Sequence, residues 1–163
     1  MLIGVVSDTH NNLKNINLLI SVFNDKSVDL VVHTGDISKA STLNEFSKLN
    51  SKLIGVYGNN DQNEPGLEEV AIKNGFLFKQ PPFKISEENR NIVIFHEPDF
   101  IDEFLNKNTD IDIVLHGHTH RYREENINKT LIFNPGESAG MLQGKNAVGI
   151  INLKNFSVER IFF

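Results

Sequence analysis

The chain has 163 residues, a formal net charge of −5 (16 Lys and Arg against 21 Asp and Glu), and neither Cys nor Trp. That length suits one domain spanning 1–163, and the missing cysteines exclude disulfides, thiolate zinc sites, haem attachment and cysteine nucleophiles. The acidic balance argues against a broad basic face for nucleic acid, and no apolar run reaches the length of a membrane span. In chain order, residues 2–6 are apolar on both faces, as a central parallel strand requires. The segment has no basic leader and turns polar at Ser7, which reads as a first strand and not a signal peptide, so the cytoplasm is the expected location. Leu13, Ile16, Leu19, Ile20 and Phe23 then recur at helical spacing behind Asn11 or Asn12 as cap. Strands at 28–32 and 53–57 alternate with helices at 42–49 and 64–73, the second stopped by Asn74-Gly75. This alternation predicts parallel strands joined by right-handed crossovers. Beyond it lie short strands at 76–78, 83–85, 92–95, 111–115, 131–133, 147–151 and 158–162, and a helix near 99–106. So many β runs after the helices predict two sheets packed face to face with helices outside.

Five of these strands end in residues that bind metals. The first runs into Ser7-Asp8-Thr9-His10, the second into His33-Thr34-Gly35-Asp36 and the third into Gly58-Asn59-Asn60-Asp61; the strand at 92–95 ends in His96, and that at 111–115 in His116-Gly117-His118-Thr119-His120. Ligands of open α/β sheets bind outside the carboxyl ends of the strands, and Gly35, Gly58 and Gly117 allow sharp bends or close backbone approach there. Asp8, His10, Asp36, Asn59, His96, His118 and His120 offer carboxylate, amide and imidazole donors suited to Mn²⁺, Fe²⁺, Ni²⁺ or Zn²⁺. Seven donors are too many for one tetrahedral ion and about right for two ions sharing a carboxylate. Such a pair, roughly 3.5–4 Å apart, clamps phosphorus for in-line attack by a bridging water of lowered pKa. Taken singly the pieces are weak: Gly58-Asn59-Asn60-Asp61 alone reads as a loop with Asx-type hydrogen bonds. It is the ordered set, each member at a strand end, that points to a site. His33 and His116 are expected to be packing or neighbouring residues and not ligands.

The order Asp8-x-His10, Gly35-Asp36, Gly58-Asn59-x-Asp61, His96 and Gly117-His118-x-His120, followed by Asn134-Pro135-Gly136, resembles the calcineurin-like metallophosphoesterases, in particular their small single-domain YfcE-type and archaeal phosphodiesterase branch. The resemblance covers nearly the whole chain. It implies an α/β fold, a four-layer α/β/β/α sandwich of two mixed sheets with flanking helices, around a dinuclear site. By motif position, Asp8, His10 and His120 would hold one ion and Asn59, His96 and His118 the other, with Asp36 bridging; the residues alone would have placed His118 and His120 on the same ion. Mn²⁺ is the expected metal, with Ni²⁺, Fe²⁺ or Zn²⁺ as alternatives. Asp36 and Asn59 would stand nearest the chemistry, Asn59 facing the substrate phosphate.

Two positions depart from the family pattern. Asn60 stands where many members carry a His that protonates the leaving group, a role an amide cannot fill; this predicts slow turnover of poor leaving groups. Glu97-Pro98 follows His96 where Gly is usual, and Glu97 is expected to point outward. The implied activity is hydrolysis of small phosphate diesters, the alternatives being a phosphomonoesterase or a non-catalytic scaffold of the same fold. A small phosphate ester is the expected partner, without a dedicated nucleic-acid surface or membrane contact, and a homodimer is expected by analogy alone.

Overall fold

The computed structural model describes residues 1–163 as two mixed sheets with helices on their outer faces. The first half is the alternating unit that the hydrophobic pattern predicts. β1 (Leu2–Val6) leads through α1 (Leu13–Asp25) to β2 (Leu30–His33), then through α2 (Ala40–Glu45) and a 3₁₀ turn to β3 (Lys52–Val56), and through α3 (Leu67–Lys73) to β4 (Leu77–Lys79). These four strands are parallel, and β10 (Ala147–Asn152) and β11 (Ser157–Phe162) extend the sheet antiparallel on its β1 side, giving the order β11-β10-β1-β2-β3-β4. Asn12 caps α1 by accepting a hydrogen bond from the Asn15 N–H at 3.1 Å.

The second sheet has the order β5-β6-β7-β9-β8. It comprises β5 (Phe83–Glu87), β6 (Arg90–Ile94), β7 (Ile113–Leu115), β8 (Arg123–Ile127) and β9 (Thr130–Asn134), with α4 (Ile101–Lys107) between β6 and β7. β6, β7 and β9 run parallel, while β5 and β8 form antiparallel edges. β8 has no counterpart among the strands predicted from sequence. Its residues, Arg-Glu-Glu-Asn-Ile, show no apolar alternation because an edge strand exposed on both faces needs none, and charge along such an edge discourages pairing with another chain.

Three apolar layers separate the four structural ones. Ile3, Val5, Leu30 and Val32 of the first sheet meet Ile92, Ile94, Leu115 and Phe133 of the second. Along the same strands the alternate residues Val6 and Val31 face the other way, against Ile16, Leu19, Phe23 and Phe46. On the far side Val93, Val114 and Ile132 pack on Ile101 and Phe104 of α4. The period-two alternation of each central strand is therefore satisfied on both faces, and these strands present polar groups at their ends. No helix is long and apolar enough to cross a membrane.

Candidate metal centre

The loops after β1, β2, β3, β6 and β7 converge on one rim, and backbone hydrogen bonds stitch them together. The Asp8 N–H donates to Gly35 O (3.1 Å), the Gly117 N–H to His96 O (3.0 Å) and the His118 N–H to the Asp8 carboxylate (3.1 Å). A side chain at Gly58 would run into Asp36, and one at Gly117 into Ser7 and Asp8, so the close approach expected at these glycines is real. Five of the seven candidate ligands, Asp8, His10, Asp36, His118 and His120, have φ between 39° and 66°. Left-handed backbone is uncommon for such residues and accumulates where surrounding structure enforces a functional geometry.

Two clusters result. Asp8, His10 and His120 offer ligand atoms within 4.8 Å of one another, and so do Asp36, His96 and His118. The Nε2 atoms of His10 and His120 face each other at 3.2 Å. In the second cluster Asn59 Oδ1 lies 2.9 Å from His96 Nε2 and 3.1 Å from His118 Nδ1. Asp36, only 2 % exposed, joins the two: its Oδ2 is 3.5 Å from His10 Nε2 and its Oδ1 is 3.4 Å from His96 Nε2. His33 and His116 lie outside both clusters. The His33 ring accepts the Gly35 N–H at Nδ1 and meets Thr9 Oγ1 at Nε2.

Two of the imidazoles, His96 and His120, are oriented as metal ligands need to be. His96 donates Nδ1–H to Thr34 O at 2.8 Å, which leaves Nε2 turned to Asp36 and Asn59. His120 Nδ1 faces the carboxylate of Glu137 at 3.4 Å, leaving Nε2 for the cluster. Glu137 is fully buried and also accepts the backbone N–H groups of Met141 and Leu142. Nothing in sequence periodicity marked it; its position directly after Asn134-Pro135-Gly136 was the available signal. The role of that turn is visible too, since Asn134 Nδ2 donates to Gly117 O (3.1 Å) and supports the loop carrying His118 and His120.

Asp61 ties the second and third loops. Its Oδ2 accepts the N–H groups of Asp36 and Gly58 and its Oδ1 that of Ser38, at 2.7–2.8 Å. Asn60 donates both its backbone N–H (3.0 Å) and its side-chain amide (2.8 Å) to Asp36, so it holds that carboxylate and does not reach outward as an acid would. Burial alone would raise the Asp36 carboxyl, but the hydrogen bond and charge of His96 and the two Asn60 donors outweigh it and hold it well below the usual carboxylate range. Burial raises the Asp8 carboxyl against the opposing hydrogen bond from Ser7. Burial would lower His96, but Asp36 prevails and raises it. Buried anionic oxygens and imidazole lone pairs aimed at common points form a donor set that fits divalent cations.

A cavity of about 410 Å³ adjoins the centre, and Asn59 and His96 form part of its wall. Glu97 is half-buried and lines this cavity, against the expectation that it points outward. A turn over Asp99 and Phe100, closed by the Ile101 N–H donating to Pro98 O at 3.1 Å, leads into α4.

Residues 1–155 match the calcineurin-like phosphoesterase superfamily domain, and the chain belongs to that superfamily. A phosphodiesterase of Methanocaldococcus jannaschii is 34% identical over 163 residues, 99% of this chain and 98% of the relative. A solved structure of an archaeal phosphodiesterase superposes with a TM-score of 0.91 at 31% identity, covering all of both chains. The YfcE phosphoesterase of E. coli shares the fold (TM-score 0.68, 19% identity, 99% of this chain and 98% of that one). Divalent metals are the cofactors of this superfamily, and the two clusters are where this chain could hold them.

Two measurements check the supporting framework. Asp61→Asn turns an amide N–H toward a backbone N–H whichever way it rotates, and is expected to cost about 1–3 kcal/mol in urea unfolding. Burial holds His33 neutral, its pKa lowered to about 3, while an unfolded His takes its proton near 6.5. The folded state is therefore favoured fully above pH 6.5 and progressively less as the pH falls toward 3. In EDTA, unfolding free energy measured from pH 6.5 to 4 is expected to fall less steeply in His33→Gln than in wild type. The difference approaches one proton, about 1.4 kcal/mol per pH unit.

Proposed function

We propose that this protein is a dinuclear-metal-dependent phosphodiesterase that hydrolyses small phosphate diesters. The observation that carries the reading is the position of Asp36, whose two carboxylate oxygens address different clusters, Oδ2 the one with His10 and Oδ1 the one with His96. In this reading Asp8, His10 and His120 hold one ion, Asn59, His96 and His118 the other, and Asp36 both. Mn²⁺ is the preferred pair, with Ni²⁺, Fe²⁺ and Zn²⁺ chemically compatible. The bound ions supply Lewis acidity, a template for in-line displacement and an activated water.

The protein groups have defined tasks around that chemistry. Asp36 and Asp8 neutralise cationic charge, and Asn60 and the His118 N–H keep their oxygens aimed. Asn59 turns Oδ1 to the second cluster, while its amide nitrogen makes no hydrogen bond within the protein and is available to a phosphate oxygen. The new P–O bond forms to the oxygen of water as the P–O bond to the ester group breaks, releasing a monoester and an alcohol. With Asn60 engaged on Asp36, no protein acid assists that departure, so rates should depend steeply on the acidity of the alcohol. A diester as substrate is supported by the phosphodiesterases to which this chain is similar.

The test is hydrolysis of bis-p-nitrophenyl phosphate with Mn²⁺. Wild type is expected to turn it over, to prefer it to p-nitrophenyl phosphate, and to lose activity in EDTA. Asp36→Asn and His118→Ala are each expected to fall at least 100-fold; equal rates in all three proteins would overturn the assignment. Glu137→Gln is expected to weaken Mn²⁺ binding about 10–100-fold, because the carboxylate orienting His120 is lost. Calorimetric titration of Mn²⁺ into metal-stripped protein measures it.

A further inference from the structure

The cavity beside the metal centre is built from the same loop that delivers His96. His96 lies just after β6, Glu97 follows it, and Phe100 and Phe104 arrive with α4 a few residues later. Tyr57, Pro81 and Pro82 also line it. Phe104 is fixed edge-on to the buried Phe95, with ring centroids 5.2 Å apart, whereas Phe100 stands 62% exposed at the mouth. An aromatic ring so exposed beside a cavity has an apolar face with nothing of its own chain to cover it. The charges are as informative as the rings. Glu103 is neutralised by Lys107, while Glu97 makes no ion pair or hydrogen bond within the protein, so the cavity carries one unbalanced negative charge next to His96 and Asn59.

Resting on the phosphodiesterase reading, we propose that this cavity is the binding site for one ester group of the substrate, and that it selects a flat, aromatic, uncharged group. Asn59 and His96 belong both to the candidate centre and to the cavity wall, so a phosphate held at the centre would lie beside the cavity. The volume, about 410 Å³, is ample for a ring system. Phe100 and Phe104 supply faces and edges for stacking, and Glu97 repels a substituent carrying its own phosphate or carboxylate. The short sequence between His96 and Phe104 thus couples ligand and specificity on one segment, and Glu97, an unusual residue after the motif His, acquires a role in choosing the substrate.

The proposal is tested by calorimetric binding to Mn²⁺-loaded protein of three diesters that differ in one substituent: dimethyl, methyl phenyl and methyl 4-carboxyphenyl phosphate. Wild type is expected to bind the phenyl ester about tenfold more tightly than the dimethyl ester, in line with the loss usually seen when a stacking ring is removed. It should bind the carboxyphenyl ester more weakly than the phenyl ester. Phe100→Ala, a change at an exposed position that spares the core, should shrink the phenyl preference at least threefold. Glu97→Gln should narrow the gap between the phenyl and carboxyphenyl esters. Equal affinities for the phenyl and methyl esters, or a preference that Phe100→Ala leaves intact, would overturn it. Hydrolysis of bis-p-nitrophenyl phosphate by the same preparations separates the two readings. Turnover without a phenyl preference defeats the pocket alone, and a phenyl preference without turnover defeats the diesterase reading alone.

Discussion

The geometry of the rim depends on one carboxylate placed where a carboxylate is costly. Asp36 is almost fully buried at the junction of two clusters of imidazole and oxygen donors, and it stays ionised because neighbours on three loops support it. Asn60 donates to both of its oxygens, His10 and His96 flank them, and Asp61 holds the backbone on either side by taking the N–H groups of Asp36 and Ser38. Burying anionic oxygens in this way is unfavourable unless cationic charge is close. A pair of divalent ions meets that requirement, and imidazole lone pairs directed at the same points would bind them.

The fold creates this arrangement by bringing the carboxyl ends of strands from both sheets to one edge. β1, β2 and β3 contribute the loops bearing Asp8, Asp36 and Asn59, while β6 and β7 contribute those bearing His96, His118 and His120. Because the inter-sheet core and the two outer layers satisfy the apolar faces of every central strand, the rim is free to carry polar and strained residues without weakening the core. The left-handed backbone at Asp8, His10, Asp36, His118 and His120 is the visible strain. The close glycine contacts at 58 and 117 let those loops pass within hydrogen-bonding reach of each other.

Much of this was legible in the amino-acid sequence. The central strands declare themselves as apolar runs, α1 by its helical spacing and Asn12 cap, and the seven donors by falling at strand ends. The residues without a sequence signal share a physical trait: their role comes from contacts distant in sequence, or from solvent, and neither leaves a local pattern. β8 is an edge strand with polar residues on both faces, so the period-two signal is absent. Glu137 acts across the fold on His120, and Glu97 turns to the cavity because of a chain path that only the three-dimensional arrangement reveals. Helix boundaries drifted for a related reason. The pattern at 42–49 is apolar at helical spacing, yet the α-helix ends at Glu45 and the last turn tightens into a 3₁₀ segment.

The decisive property of this site is whether one carboxylate serves two ions. A crystal of the protein soaked in Mn²⁺ with a phosphate analogue, measured at the manganese absorption edge, tests this directly. The prediction is two anomalous peaks roughly 3.5–4 Å apart, with Asp36 ligating both, Asp8, His10 and His120 on one, and Asn59, His96 and His118 on the other. A single peak, or two ions that do not share Asp36, would contradict it.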